Sequence, residues 1–356
     1  MFLRTLLQTA SILPFLYTSA SAQTACNNSP SLCNKAYNNI THLGTHDSPF
    51  LRNNSTSFST SGNQYYDSVT QLDAGVRLLS AQVHKSNGTD GSTQWHLCHT
   101  SCDLLDAGTL SSWLGKIKGW MDNNPNDVVT VLLVNSDNAS PAELGAEFQS
   151  SDIDQYAYTP SSSSAPQTWP TLQSLISNGT RLMTFVASLT PSSDFPYLMD
   201  EFTYVFENDF ENEEPTEYSC NPDRPTSLTS PSQATESGRM FLMNHFLYST
   251  QIFGIQSPND TYVNVTNAQT GLGSLGEQIP KCTSVYSKPP TFVLVDFFNR
   301  GPAIVSVDTA NGVTGAVGRK SVSTAAPDEP TSGVSRRQGS LLAVIVAVVV
   351  AVTFGV

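Results

Sequence analysis

The chain has 356 residues, a formal net charge of -13 and six cysteines. The acidic balance argues against nucleic acid or a bare anionic membrane surface as the main partner, because both are bound by basic surfaces. The length is too great for a small disulfide scaffold and suits a single α/β barrel with loop insertions.

Residues 1–22 read as a secretory signal peptide, with Arg4, an apolar stretch through Leu6, Ile12, Leu13 and Leu16, and Ala20-Ser21-Ala22 as the cleavage site. The mature chain is expected to start at Gln23, and 23–324 to form the folded domain. Strand-like apolar runs follow at Ile40 to Thr45, Val76 to His84, Val128 to Val134, Arg181 to Ala187, Thr203 to Glu207, Met240 to His245 and Phe292 to Phe298. Helical periodicity shows at Leu110 to Asp122, Pro141 to Gln149 and Thr171 to Ile176. Tyr158 to Pro170 is rich in Ser and Pro and reads as a loop. Apolar strands alternating with helices predict a parallel sheet buried on both faces, and seven or eight such units a closed barrel. No internal repeat is evident.

The C-terminal end reads as an address. Residues 325–340 form a polar stalk, with small residues at Thr331, Ser332 and Gly333, and Leu341 to Val356 is an uncharged apolar tail of 16 residues. That is shorter than the roughly 20 residues of a spanning helix, and the layout matches a glycosylphosphatidylinositol attachment signal whose tail is removed. The competing reading is a short membrane helix flanked by Arg336 and Arg337. Sequons at Asn27, Asn39, Asn53, Asn54, Asn87, Asn138, Asn178, Asn259 and Asn264 are consistent with secretion.

An even cysteine count in an oxidising compartment predicts up to three disulfides, with 15 pairings possible for six cysteines. The short spacings favour Cys26 with Cys33 and Cys98 with Cys102, leaving Cys220 with Cys282. A zinc site using Cys98, His99 and Cys102 is the rival, weakened by the lack of a second ligand cluster.

The chemistry concentrates in two motifs, Thr41-His42-Leu43-Gly44-Thr45-His46-Asp47-Ser48-Pro49 and His96-Leu97-Cys98-His99-Thr100-Ser101-Cys102. Each has a histidine where a strand-like run meets a turn of small residues, the place where barrels keep active groups. A histidine pair transfers protons in both directions near neutral pH. His46 and His99 are therefore read as the functional pair. His42 and His96 are read as structural or rim groups, and His84 and His245 as packing or loop residues. Trp95, Tyr197, Tyr204 and Phe298 are assigned to core or rim, and the acidic run Glu207 to Glu217 to a solvated loop in which Glu207 alone faces the pocket.

Gly44-Thr45-His46-Asp47-Ser48, Gln71-Leu72-Asp73-Ala74-Gly75-Val76-Arg77, Cys98-His99, Asn123 to Val134 and Val295-Asp296-Phe297-Phe298 together resemble the X-domain-like phosphodiesterases related to phosphatidylinositol-specific phospholipase C, especially a secreted fungal-type branch. The resemblance covers most of the mature chain and implies a distorted TIM-type (β/α) barrel. It also implies a reaction in which a neighbouring substrate hydroxyl attacks phosphorus, expels an alcohol and leaves a cyclic phosphodiester. His46 resembles the general base and His99 the general acid, a division that shifts of opposite sign on the two imidazoles would set. Asp47 and Asp296 are expected to hold tautomers or balance charge, and Arg77, Gln82, Asn135 and Glu207 to contact substrate.

The chain departs from the family after Gly75-Val76-Arg77. Where active members place carboxylates for calcium, or an aspartate and an arginine, this sequence has Ser80 and Gln82. No metal or other cofactor is therefore expected, and positive charge facing phosphate is sought at His99, Arg77, Lys85 or Arg181. The expected partners are a lipid or polyol phosphodiester and, through the anchor, a membrane; the residues carry no indication of oligomeric state. The alternative is a weakened barrel that binds a phosphorylated polyol or serves the cell surface. A two-carboxylate glycosidase is the third class, without acidic residues as clearly placed at strand ends as the histidines.

Overall fold

The computed structural model describes residues 24–88, 92–250 and 256–328. The expected signal peptide, most of the stalk and the apolar tail lie outside the described residues. Among the described residues no helix is long and apolar enough to cross a membrane.

Among the described residues twelve strands occur in chain order: β1 (His42–Thr45), β2 (Leu78–Asn87), β3 (Thr93–Cys98), β4 (Asp106–Thr109), β5 (Val129–Asn135), β6 (Leu182–Ala187), β7 (Leu198–Asp200), β8 (Val205–Glu207), β9 (Met240–Asn244), β10 (Tyr248–Thr250), β11 (Gln256–Pro258) and β12 (Phe292–Val295). Eight of them run in the order β7-β6-β5-β2-β1-β12-β9-β8, every neighbouring pair parallel. That is the sequential order of a (β/α) barrel. Among the described residues β7 and β8 do not pair, so the expected closure is incomplete and the barrel has a seam there. The short helix Glu201–Tyr204 links the two seam strands.

All seven expected strands form, with shifted ends. Thr203 and Tyr204 fall in the seam helix, and the last strand stops at Val295 because Phe297 takes a left-handed backbone (φ 43°). The expected helices form at Leu110–Asn123, Pro141–Ser150 and Leu172–Ser177, each starting from a hydroxyl cap: Thr109, Ser140 and Thr171. β3 and β4 were not expected. They extend β2 into an antiparallel sheet, which carries the second histidine motif back to the barrel.

Alternation along the strands divides the core in two. Leu78, Leu132, Phe185, Leu242 and Leu294 point into the barrel, while Leu43, Leu79, Val131, Val186, Met243 and Val293 belong to the cluster beneath the helices. Gly44 shares the inward parity. A Cβ there would come within 2.5 Å of Leu78 and 2.8 Å of Leu294, so the interior fills only if β1 contributes no side chain at this level. One step further along the same parity stands His46, at the C-terminal mouth.

The N-terminal end of the barrel is plugged by aromatic residues. His42 lies between Tyr37 and Phe292, with Nε2 3.1 Å from the Tyr37 carbonyl oxygen, and Tyr37 packs on Trp169. The disulfides are Cys26–Cys33, Cys98–Cys102 and Cys220–Cys282, as the spacings suggested. At one sequon the asparagine is buried: Asn27 Oδ1 accepts the Val128 N–H, so a glycan there would require undocking the segment.

His42 and His245 are structural, as expected, and burial lowers the pKa of each from 6.5 to about 4. The unfolded chain therefore binds more protons than the folded one between those values, and stability falls as pH falls through that window, by up to roughly 3 kcal/mol per histidine. Melting curves between pH 6.5 and 4 should show this loss, and His42→Gln, which has nothing to protonate, should reduce its slope. An unchanged slope would show that His42 does not stay neutral in the fold.

Candidate active site

The mouth is built where β1, β2, β3 and β12 end. After β1 the chain turns sharply at Asp47, whose backbone is left-handed (φ 49°). Ser80, the residue expected to be a missing charge, holds this turn: its Oγ accepts the Asp47 N–H at 2.9 Å and donates to the Thr45 carbonyl oxygen at 3.2 Å. His46 lies above with 14% of its side chain exposed, its ring stacked parallel on that of Phe246 at 3.8 Å. His46 Nδ1 is 3.0 Å from Asp296 Oδ1 on the neighbouring β12 terminus. With the proton placed on Nδ1, that contact fixes the tautomer and leaves Nε2 toward the pocket.

His99 enters from the antiparallel extension. It follows Cys98 and is almost buried, with Phe50 edge-on to its ring at 5.4 Å. Its Nε2 lies 3.6 Å from Asp47 Oδ2, and so does Nε2 of His46. One carboxylate oxygen thus stands between two imidazoles whose Nε2 atoms are at most about 7 Å apart, by the triangle of those two distances.

The electrostatics separate the pair. Burial pushes His46 down, but Asp47, Asp296 and Glu207 outweigh it and raise its pKa above 6.5. For His99 burial prevails over the attraction of Asp47, and the nearby His46 adds to the lowering. The shifts have opposite signs, as a division of labour requires, yet they run the other way from the resting states a His46 base and a His99 acid need. These directions favour His46 over His99 as the holder of a proton shared by the pair.

Several expected site residues have other roles. Arg77 does not face substrate. It precedes β2 at the opposite, N-terminal end of the barrel, where it pairs with Asp127 at 2.7 Å and donates to the Leu72 and Val76 carbonyl oxygens. Arg181 is at the same end, donating to the backbone oxygens of Met121, Asn124 and Asp127. Lys85 lies exposed on the outer part of β2. Asn135 aligns with outward-facing Val83, so its parity takes it out of the pocket; it clamps a turn through Ala139 N–H and C=O. Glu207 ends β8 on the mouth side, but its carboxylate is buried against Arg224 and Asn244. Gln82 does reach the site, with its amide engaged by protein groups: Nε2 donates to Asp47 Oδ2 at 2.8 Å and Oε1 accepts the Thr100 N–H at 2.9 Å.

The zinc reading fails on covalent grounds. Cys98, Cys102 and Asp106 form the one cluster of three ligating side chains close enough to share an ion among the described residues, and the two sulfurs are bonded to each other. Reading the sequence missed Asn63 and Gln64. Asn63 Nδ2 donates to Asp296 Oδ1 at 3.0 Å, and Gln64 Nε2 donates to the carbonyl oxygens of His46 and Val295. They lie in a loop without periodicity. The available signal was Gly62 beside them, where a Cβ would come within 2.4 Å of the Leu51 backbone and block the loop's approach.

The PI-PLC X family model matches residues 32–311. The chain is 38% identical over 289 residues to PI-PLC X domain-containing protein 1 of Arthroderma benhamiae, covering 81% of this chain and 90% of that one. It is 40% identical over 282 residues to an uncharacterized secreted protein of the same fungus, covering 78% of this chain and 60% of that protein. In fold it is similar to the phosphatidylinositol-specific phospholipase C from Listeria monocytogenes (TM-score 0.51, 15% identity, 79% of this chain and 95% of that one). A Staphylococcus aureus phosphatidylinositol-specific phospholipase C is similar in the same way (TM-score 0.51, 13% identity, 78% and 94%).

Following the ring carbons of the histidines by NMR should give a His46 titration above pH 6.5 and a His99 titration below it. Asp296→Asn should lower the His46 midpoint more than that of His99. The reverse order in the wild-type protein would contradict the electrostatics described above.

Proposed function

The chain belongs to the PI-PLC X family, and we propose that it is a metal-independent phosphodiesterase acting on a lipid or polyol phosphodiester whose alcohol carries a hydroxyl beside the phosphate. The observation that carries this reading is the convergence of both Nε2 atoms on one side of the barrel mouth, 3.6 Å from a single Asp47 oxygen. His46 Nε2 takes the proton of the attacking hydroxyl as its oxygen bonds to phosphorus. The bond from phosphorus to the leaving oxygen breaks, and His99 gives that oxygen its proton. The products are a cyclic phosphodiester and an alcohol, with each proton transfer contributing roughly 10²–10⁴ in rate.

Because a shared proton is favoured on His46 over His99, substrate has to move it. A phosphodiester anion beside His99 favours the imidazolium there, and releasing His46 from its proton leaves a base strengthened by Asp296. Only the form with one proton on the pair reacts. Its population falls when His99 gains a second proton on the acid side and when His46 loses its proton on the alkaline side. The rate should therefore be bell-shaped in pH, with the acid limb set by His99 and the alkaline limb by His46.

A specific observation favours a second reading, a barrel that binds a phosphorylated polyol without turning it over. β2 presents Ser80 and Gln82 to the mouth, and Arg77 and Arg181 are bound at the other end, so no fixed cation from these positions meets the phosphate. Assay of the purified protein on inositol phosphodiesters separates the two. We expect turnover that persists in excess chelator. His46→Ala and His99→Ala should each lower it by at least about 10²-fold, and the double variant should be little worse than either. Saturable binding without turnover would select the second reading, and full activity in both single variants would end the first.

Surface attachment belongs to the same proposal, supported by the tail pattern and by a relative described as secreted. Cells expressing the full sequence should release the protein when treated with a phosphatidylinositol-cleaving enzyme. Retention with the tail still present by mass spectrometry would instead indicate a membrane-embedded segment.

A further inference from the structure

Each of the paired histidines is followed by a residue in the left-handed backbone region: Asp47 at φ 49° after His46, and Thr100 at φ 61° after His99. For Thr100, which is β-branched, this conformation is sterically costly and survives only where its surroundings over-determine it. The surroundings do so here. The Cys98–Cys102 disulfide closes a ring over His99, Thr100 and Ser101. Within it the Ser101 N–H meets the His99 carbonyl oxygen at 2.6 Å, and the His99 N–H is bound by the Leu105 carbonyl oxygen at 3.0 Å. The turn delivers the Thr100 N–H to Gln82 Oε1, while the other end of the same amide holds Asp47 Oδ2.

We propose that Gln82 is a positioning residue for the histidine pair, a role that rests on the two-histidine reading above: by tying the Asp47 carboxylate to the Thr100 amide it sets the separation of the two imidazoles. β2 lies between the two motifs, pairing with β1 on one edge and with β3 further along. A side chain at 82 is therefore placed to bridge them. The bridge needs a donor for a carboxylate and an acceptor for an N–H on one planar group, which a primary amide supplies without charge. Arginine would offer Asp47 its donors but leave the Thr100 N–H unanswered. Glutamate would answer Thr100 but repel Asp47. With Ser80 and Gln82 rather than a cation facing the mouth from this strand, nothing on it draws the substrate phosphate and the His99 loop together, so the loop has to be preset, and an imidazole misplaced by about 1 Å costs on the order of 10²-fold in rate.

The test uses the purified protein, a soluble chromogenic inositol phosphodiester, and NMR titration of the His99 ring. Gln82→Met should lower kcat by roughly 10- to 100-fold with KM changed less than about twofold. Gln82→Glu should shift the activity optimum toward acid pH, where its neutral carboxyl again donates to Asp47. Gln82→Arg should resemble Gln82→Met in kcat. In Gln82→Met the His99 titration midpoint should move, and this readout holds even if the wild-type protein turns over no phosphodiester, so failure of the catalytic reading is told apart from failure of this one. A loss confined to KM would mean that Gln82 binds substrate instead. An unchanged His99 titration with unchanged kcat in Gln82→Met would overturn the proposal, with Gln82→Glu as the check should Gln82→Met fail to fold.

Discussion

A single carboxylate oxygen, Oδ2 of Asp47, is the point on which the site depends. Both imidazole Nε2 atoms face it at 3.6 Å, and the Gln82 amide holds it at 2.8 Å. Its position follows from the left-handed turn after β1, which Ser80 secures from the adjacent strand. Asp47 is also the largest charge influence favouring protonation of each histidine. The same group therefore faces both imidazoles and favours the protonated form of each. A hydrogen bond to a buried carboxylate from a neutral amide does this without neutralising the charge that His46 and His99 both respond to.

The barrel makes the arrangement possible by parity. Gly44, His46, Leu78, Ser80, Gln82, Leu294 and Asp296 are all on the inward side of three neighbouring strands, so filling the interior with Leu78 and Leu294 places Ser80, Gln82, His46 and Asp296 one or two levels higher at the mouth. Opposite parity, or the opposite strand end, sends Asn135 and Arg77 elsewhere. The seam between β7 and β8 lies away from the histidines, on the side where Glu201 and Glu207 are buried together. Burial, and then the nearby Glu207, push the Glu201 carboxyl well above its ordinary range. A neutral Glu201 against a Glu207 paired to Arg224 is how this part of the barrel tolerates two carboxyl groups without bulk water.

Much of this was legible in the residues because most barrel strands are apolar runs bounded by turn formers. The helices announced themselves through periodicity and hydroxyl caps, and the disulfides through spacing. β7 was illegible, since three residues between a Pro/Ser-containing segment and the seam helix carry no period. β3 and β4 were obscured because a half-exposed antiparallel pair alternates weakly, and their polar residues Gln94, His96 and Asp106 bond to one another. Arg77 misled because a charged residue beside a strand does not declare which end of the barrel it occupies. Gln82 was expected to contact substrate; its amide instead meets Asp47 and Thr100, partners 35 and 18 positions away and beyond any local pattern. Asn63 and Gln64 support the site from a loop whose conformation only the packed neighbours define.

The account turns on two histidines passing protons through a phosphoryl group to and from the substrate's own oxygens. Phosphorus NMR of the reaction on an inositol phosphodiester, run in the presence of chelator, observes that directly. The account predicts that a cyclic phosphodiester resonance appears first, before any open-chain monophosphate. A monophosphate forming first, or a reaction that stops when the chelator is added, would contradict it.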